Sequence, residues 1–182
     1  VILGAGTNVL APDEGVRGLV ICLKDCLDGM ELVDDHCLRV LAGVTMARAA
    51  VFAAKNGLSG LEFAHGIPGT VGGGVYMNAG AYGSDISRVC VSAEVMDKEG
   101  NMRIVSAQEL DFSYRHSALE DTGEIVVSAT FRLTPEEPEK IREKMKELQT
   151  KRLASQPLNL PSAGSAFKRP AQGYAAALID QA

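Results

Sequence analysis

The sequence predicts an α+β fold, in which short strands and a few helices are joined by glycine-rich loops. Three observations favour this class: apolar and polar residues alternate with the two-residue period of strands in several places, one segment has helical periodicity with end signals at both ends, and glycines cluster in two short stretches. With 182 residues, 46% of them hydrophobic, the chain can form one medium domain, or one domain and part of another.

Six segments are predicted as strands. The first, residues 1–3, is expected to be a short buried strand, and in residues 37–41 Leu38 and Val40 alternate with Arg39. The segments 89–95 and 102–105 flank the turn at residues 97–101, which predicts a β-hairpin. The six segments are 1–3, 19–23, 37–41, 89–95, 102–105 and 125–133.

Helices are predicted in three places. The first begins after the N-cap Thr45, repeats apolar residues at helical spacing and stops at Asn56 and Gly57, and it is expected to cover a sheet. Ser106 and Glu109 have the spacing of a capping box for a short helical turn. After Thr134 a Glu- and Lys-rich helix has one apolar stripe and is interpreted as a domain connector; the stripe is Ile141, Met145 and Leu148.

Composition argues against several function classes. The formal net charge is -5, which disfavours broad binding to nucleic acid or to an anionic membrane surface. No apolar run approaches the roughly 20 residues that span a bilayer, and no cleavable signal pattern opens the chain. The four cysteines lack the spacing of a zinc or redox motif, so we expect reduced thiols, no metal and a cytoplasmic protein.

Two glycine-rich segments are the strongest local features. Residues 4–8 read Gly-Ala-Gly-Thr-Asn, and residues 66–74 contain five glycines and one proline. Glycine at this density suits backbone N–H groups that converge on an anion such as a pyrophosphate, and the alternative is a crossover packed tightly against a sheet. Val9 stands where a dinucleotide fingerprint has its third glycine, which disfavours a Rossmann fold.

Six ordered blocks together resemble the UDP-N-acetylenolpyruvoylglucosamine reductase (MurB) family. They are residues 3–8, 57–62, 66–73, 77–81, 114–117 and 162–168. The resemblance implies an FAD-binding fold of the vanillyl-alcohol-oxidase (PCMH) type, followed by the start of an α+β substrate-binding domain. It also implies a chain truncated at both ends, from the shorter class of these reductases that lacks a tyrosine-bearing lid loop.

The resemblance implies a noncovalent FAD and NADPH as the hydride donor. In relatives that attach flavin covalently a histidine often stands where this chain has Thr7. Ile125 is expected near the isoalloxazine through its backbone, and the other cofactor residues surround the pyrophosphate and ribityl chain. The implied cofactor-binding residues are Gly4, Ala5, Gly6, Thr7, Asn8, Gly66, Ile67, Gly69, Thr70, Gly72, Gly73 and Ile125.

The family's reaction reduces UDP-N-acetylglucosamine enolpyruvyl ether to UDP-N-acetylmuramate, a peptidoglycan precursor. By resemblance Arg115 stabilises the enolate-like charge and Ser165 is the general acid, while the family's glutamate falls beyond this sequence. Arg169 stands where most members have asparagine, which puts a uridine and diphosphate contact in doubt. The implied substrate-binding residues are Asn78, Arg152, Gln156, Lys168 and Arg169.

The predicted organisation is an FAD-binding domain over residues 1–134, partial at its N-terminus, a helical connector over 135–155, and the start of a substrate-binding domain over 156–182. We expect a monomer. Two alternatives stay open: another noncovalent FAD oxidoreductase of the same fold, and a flavin-binding module without catalysis.

Overall fold

In the computed structural model of the chain, the described residues are 1–156, 160, 162, 164, 165 and 167–182. The strands are β1 Ile2–Leu3, β2 Ile21–Cys22, β3 Met30–Leu32, β4 Cys37–Leu41, β5 Leu58–Ser59, β6 Gly80–Ala81, β7 Ser84–Asp85, β8 Cys90–Met96, β9 Met102–Ser106, β10 Ile125–Arg132 and β11 Thr134–Pro135. The α-helices are α1 Met46–Lys55, α2 Val71–Tyr76, α3 Leu119–Thr122, α4 Pro138–Ser155 and α5 Ala175–Asp180. Two 3₁₀-helices span Glu62–Gly66 and Ile86–Arg88.

An antiparallel sheet of five strands, in the order β3-β4-β10-β8-β9, forms the centre of the molecule. The alternation read from the sequence sets its faces: Leu38 and Val40 are fully buried, while Arg39 between them points to the other face. The β8–β9 hairpin closes at the predicted turn, where the Asp97 carboxylate accepts N–H bonds from Glu99 and Asn101. The α+β class is confirmed.

The first helix has the predicted ends, and the sheet that it contacts is the small β5–β11 pair. Thr45 Oγ1 accepts the Arg48 N–H at 3.3 Å, and Gly57 adopts φ +68° just beyond the helix. Helix α1 packs mainly against the 3₁₀-helix Glu62–Gly66, and α2 covers β10 and β4 instead. A helix as rich in glycine as α2 can approach the sheet more closely than α1.

The segment before β4 forms a thin and exposed layer. Strands β1 and β2 pair in parallel, with Ile2 opposite Ile21. The prediction of a buried first strand is wrong, since Val1 is 64% exposed and Ile2 and Leu3 are only half-buried. Gly43 anchors this layer, because its N–H donates to the Leu27 carbonyl and a Cβ there would lie 2.0 Å from the Leu23 carbonyl oxygen.

The charged helix α4 has the predicted apolar stripe. Ile141, Met145 and Leu148 are buried, and the stripe faces the 3₁₀-helix Glu62–Gly66 and α1. Pairs such as Lys151 with Glu147 lie on its solvent side. Within the described ranges, no helix combines the length and apolar character that crossing a bilayer requires.

Candidate functional site

The two glycine-rich segments, far apart in sequence, lie against each other. Thr7 Oγ1 donates to the Pro68 carbonyl at 3.2 Å. A Cβ on Gly4 would lie 2.3 Å from Thr70 Oγ1, and one on Gly69 would lie 3.1 Å from Thr7 Oγ1. Both positions therefore require glycine for close approach. The fold brings together most residues predicted to bind the cofactor.

The first loop, residues 4–8, is exposed at Gly6, Thr7 and Asn8 and half-buried at Gly4 and Ala5. Among the described residues, none of the five backbone N–H groups of this loop donates a hydrogen bond to the protein. Gly6 has φ +68° and open space where a Cβ would stand. Successive N–H groups around a left-handed glycine form the concave arrangement that binds anions. A diphosphate fits this chemistry without any cationic side chain in the loop.

The second segment divides into a loop and a helix, which its sequence did not predict. Gly72 and Gly74 are buried in α2, where added Cβ atoms would lie 2.8 Å from the Ala42 Cβ and 2.7 Å from Met46 Sδ. The Gly72 N–H donates to the Ala42 carbonyl at 2.9 Å. These two glycines serve close packing, the alternative that the sequence left open, and the cofactor contact of Gly72 stays a prediction.

The outward side of this segment faces the first loop. Gly73 is exposed, and a Cβ there would meet only Thr70 Oγ1 at 3.7 Å. Thr70 is buried at the start of α2, and Ile67 is half-buried with its N–H on the Ala64 carbonyl. Gly69 adopts φ +131°, which directs the chain from the 3₁₀-helix into α2.

Ile125 begins β10, opposite Met96 of β8. The pairing of β10 with β8 shifts register between Val126 and Ser128, so Val127 forms a bulge. The Val127 carbonyl accepts the Ala42 N–H at 2.9 Å, and Ala42 is the residue on which Gly72 packs. The backbone of β10 thus adjoins the base of α2, two residues along from Ile125.

Arg115 occupies a tight four-residue turn. Ser113 and His116 exchange backbone N–H bonds of 3.1 and 3.3 Å, and Arg115 between them adopts φ +56°. Glycine or asparagine usually fills such a position, so an arginine there costs about 1 kcal/mol. Its guanidinium donates to the carbonyls of Asn78 at 3.3 Å and Gly80 at 2.7 Å. A strained backbone and two side-chain bonds fix this cation.

Asn78 lies in contact with Arg115 but is turned into the protein. Only 3% of it is exposed; its Nδ2 donates to the Ser113 carbonyl at 2.8 Å, and its Oδ1 accepts the Ser87 N–H at 3.0 Å. Both ends of the carboxamide therefore have protein partners. Its predicted substrate contact stays a prediction.

Arg152 lines a second part of the site. Its guanidinium lies next to Gly66, where an added Cβ would come within 3.2 Å of Nη1. Here α4 and the 3₁₀-helix Glu62–Gly66 line a partly open pocket of about 220 Å³, which Tyr82 also lines. Tyr82 adopts φ +56° in the turn of the β6–β7 hairpin, a feature that the sequence did not reveal. The arrangement places a cation beside a glycine of the second segment.

The segment that carries Ser165 is largely exposed and meets the site at one described point. The Arg169 N–H donates to Tyr114 Oη at 3.3 Å, and its guanidinium stacks 4.2 Å from the Tyr174 ring centre. Tyr114 precedes Arg115, so this contact brings residues 167–169 toward the Arg115 turn. Ser165, Lys168 and Gln156 are exposed. Ala163 and Ala166 of the serine motif lie outside the described residues.

The groups with shifted pKa values, such as Cys90 and Glu147, are not among the predicted site residues. Burial raises the pKa of the Cys90 thiol to about 12. Hydrogen bonds from Lys144 and Lys151 lower the pKa of the Glu147 carboxyl to about 2. Across the described part of the chain, no group of three or more His, Cys, Asp or Glu side chains has the arrangement of a metal site.

Comparison with known proteins defines the family. The chain matches the FAD binding domain family over residues 1–106, which contain both glycine segments. It belongs to that family. The match ends with the last residue of β9. It includes four of the five strands of the central sheet in full, and β10 lies beyond it.

Two curated relatives and one solved structure to which the chain is similar carry the name of a reductase. The chain is 47% identical over 189 residues to a UDP-N-acetylenolpyruvoylglucosamine reductase of Agathobacter rectalis, covering 98% of this chain and 60% of the relative. A protein of the same name from Lactococcus lactis subsp. cremoris is 46% identical, and the alignment covers 100% of this chain and 60% of that relative. The crystal structure of UDP-N-acetylenolpyruvylglucosamine reductase (MurB) from Thermus caldophilus superposes with a TM-score of 0.87 at 35% identity, covering 100% of this chain and 65% of that one.

These similarities confirm the resemblance drawn from the six sequence blocks and the PCMH-type FAD-binding fold. The chain spans about 60% of the length of the curated relatives that it matches.

Proposed function

We propose that this chain is the flavin-binding part, with the start of the substrate-binding part, of a UDP-N-acetylenolpyruvoylglucosamine reductase of peptidoglycan synthesis. The observation that carries the proposal is the contact between the two glycine segments, together with the five N–H groups of residues 4–8 that have no partner among the described residues. That contact lies within the segment that matches the FAD binding domain family.

The residues present suit a noncovalent FAD. The free N–H groups of the first loop would hold the diphosphate, and the outward edge of Gly69, Thr70 and Gly73 would flank it. Thr7, bonded to Pro68, stands at the loop position where covalent relatives often have histidine, and a hydroxyl is a poor group for attachment to flavin. Ile125 would approach the ring through the backbone of β10.

When bound, FAD supplies the hydride that NADPH provides and that adds to the enolpyruvyl double bond. The protein must then stabilise negative charge next to the substrate carboxylate. Arg115 suits this role, because the two carbonyls that it contacts fix a planar cation that keeps further N–H donors for a carboxylate. A preorganised guanidinium stabilises the transition state most when it lies where the negative charge develops, because it need not reorient during the reaction.

Protonation of the resulting carbanion is assigned to Ser165. A hydroxyl is a weak acid, yet it can protonate a carbon base that is far stronger than an alkoxide. The contact of Arg169 with Tyr114 supports a position of the serine segment beside the Arg115 turn. Arg152, Gln156, Lys168 and Arg169 are proposed to bind the substrate diphosphate, since three of them are cations in an acidic chain. Cytoplasmic location and a monomeric state remain part of the proposal.

The test uses the full-length protein under anaerobic conditions. We expect a bound-flavin spectrum and NADPH oxidation that depends on UDP-N-acetylglucosamine enolpyruvyl ether. Ser165→Ala should keep flavin reduction by NADPH and lose reduction of the substrate. Reduced flavin that reacts rapidly with oxygen but not with this substrate would favour another oxidoreductase of the fold. Bound flavin that NADPH does not reduce would favour a binding module.

A further inference from the structure

We propose that Asn78 is a positioning residue that holds Arg115 in its working orientation. Asn78 bonds both to the Arg115 side chain and to the turn that carries it. Its side-chain Nδ2 donates to the carbonyl of Ser113, where the Arg115 turn begins, at 2.8 Å. Its backbone carbonyl accepts from Arg115 Nη1 at 3.3 Å. One buried residue is thus bonded both to the backbone of the turn and to the guanidinium of Arg115.

The position suits asparagine more than other residues. Asn78 follows the C-cap of α2 and adopts φ +41°, a left-handed conformation that asparagine tolerates. Its Oδ1 accepts the Ser87 N–H at 3.0 Å, and its own N–H donates to the Val75 carbonyl. Aspartate would keep the bond to Ser87 but would set an oxygen against the Ser113 carbonyl. Glycine would keep the backbone conformation and lose both side-chain bonds.

The consequence concerns how firmly Arg115 is held. Its left-handed backbone is strained, so the turn needs external bonds to persist. Without the Asn78 bond to Ser113, the turn can relax and the guanidinium can leave the Gly80 carbonyl. A displacement of about 1 Å can cost on the order of 10²-fold in rate when a group must meet developing charge. This inference rests on the proposed role of Arg115 in the reductase reaction.

The matched control is Ser117→Ala. Ser117 is fully buried, and its hydroxyl donates to the Tyr76 carbonyl at 2.7 Å, so it joins the same two segments as Asn78. Within the described residues, its side chain has no hydrogen bond to Arg115 or Ser113. The substitution removes a buried bond of similar strength, about 1 kcal/mol. It therefore measures the structural cost of loosening the segments without releasing Arg115.

The experiment measures both half-reactions in the full-length flavoprotein by stopped flow. Asn78→Gly and Asn78→Asp should slow oxidation of the reduced flavin by the enolpyruvyl substrate about 10- to 100-fold, with flavin content and reduction by NADPH within about threefold of the unmodified protein. Ser117→Ala should change each step less than about threefold. In an Arg115→Ala background, Asn78→Gly should add less than about twofold.

Two results would overturn the inference: Asn78 variants no slower than Ser117→Ala, or effects of Asn78→Gly and Arg115→Ala that multiply. If the unmodified flavoprotein does not reduce the enolpyruvyl substrate, the proposed function fails instead. The crystal structure of the Asn78→Gly variant then decides the positioning role. An Arg115 guanidinium displaced from the Gly80 carbonyl supports it, and an unchanged contact at 2.7 Å contradicts it.

Discussion

The two glycine segments look alike in sequence and do different work in the fold. Residues 4–8 lie in an exposed layer, where five N–H groups have no partner among the described residues. In the second segment Gly72 and Gly74 are buried in α2 against Ala42 and Met46, while Gly69 and Gly73 face outward. Glycine frees backbone donors in the first segment and lets a helix approach the sheet in the second. Composition alone does not separate these uses.

Thiol reactivity should show the largest difference between the exposed layer and the core. Cys22 is exposed, and its thiol donates to the Gly4 carbonyl at 3.3 Å. Cys90 is buried, and burial raises its pKa from 9.0 to about 12. At pH 8 the thiolate fraction of Cys90 is therefore roughly a thousandfold lower than that of a thiol with the ordinary pKa of 9.0. Alkylation followed by peptide mass spectrometry should label Cys22 and Cys26 rapidly, and Cys37 and Cys90 only after unfolding.

The same shift predicts a pH dependence of stability. Because the pKa of Cys90 is higher in the folded state, its contribution to stability is present below about pH 9 and is lost as the pH rises toward 12. Urea unfolding across this range should show the loss. The Cys90→Ala variant should lose less over the same interval, and an equal loss in both proteins would contradict the assignment.

Gly72→Ala should destabilise the fold by about 2 kcal/mol, because the new Cβ would lie 2.8 Å from the Ala42 Cβ and would overpack the contact. Gly73→Ala is the matched control in the same helix. Its Cβ has room, so it should stabilise the chain by up to about 1 kcal/mol through helix propensity. Equal destabilisation by both substitutions, measured by urea unfolding, would contradict the division of this segment.

Gly6→Val should weaken FAD binding and leave stability nearly unchanged, in contrast to the loss of stability expected for Gly72→Ala. Valine at φ +68° is strained by roughly 1–2 kcal/mol, so the loop should abandon the geometry that presents its N–H groups. We expect FAD affinity to fall at least about tenfold, measured by equilibrium dialysis of the full-length protein. Stability should change by less than about 1 kcal/mol, because Gly6 is exposed and no atom of the described residues lies within 4 Å of the new Cβ. Retained affinity would place the flavin diphosphate elsewhere.

Thr7→Val tests the contact between the segments and should have the smallest effect. It removes the bond from Thr7 to the Pro68 carbonyl, which is exposed and contributes about 0.5–1 kcal/mol. We expect FAD affinity to fall about two- to fivefold and the free energy of unfolding, measured in urea, to fall by no more than about 1 kcal/mol. Thr45→Val is a control outside the contact, since it should lower stability through loss of the α1 cap and leave affinity unchanged.

Local patterns predicted the elements whose neighbours are close in sequence. The alternation in β4, β8 and β10 and the caps of α1 depend on adjacent residues, and the structure has them nearly as predicted. Helix α2 escaped prediction, because three successive glycines disfavour a helix unless tertiary contacts such as Gly72 on Ala42 compensate. The incomplete burial of β1 also could not be predicted, since burial depends on what packs over a strand.

The site was predicted unevenly for a similar reason. The resemblance supplied the residue types. The hydrogen-bond partners of the Asn78 side chain, however, lie 9 and 35 positions away, in the 3₁₀-helix Ile86–Arg88 and in the Arg115 turn. Nothing in the local sequence shows that both ends of its carboxamide face protein atoms. The positive φ of Arg115 and Tyr82 has no local signal either, because such values are uncommon for these residue types.

Hydrogen exchange in the full-length protein, with and without FAD, tests the central claim most directly. The account predicts that FAD slows exchange strongly in a peptide covering residues 4–8, whose N–H groups have no described protein partner, and changes little at Gly72 and Gly74, which are already buried. Protection confined to α2, with residues 4–8 exchanging as fast as before, would contradict it.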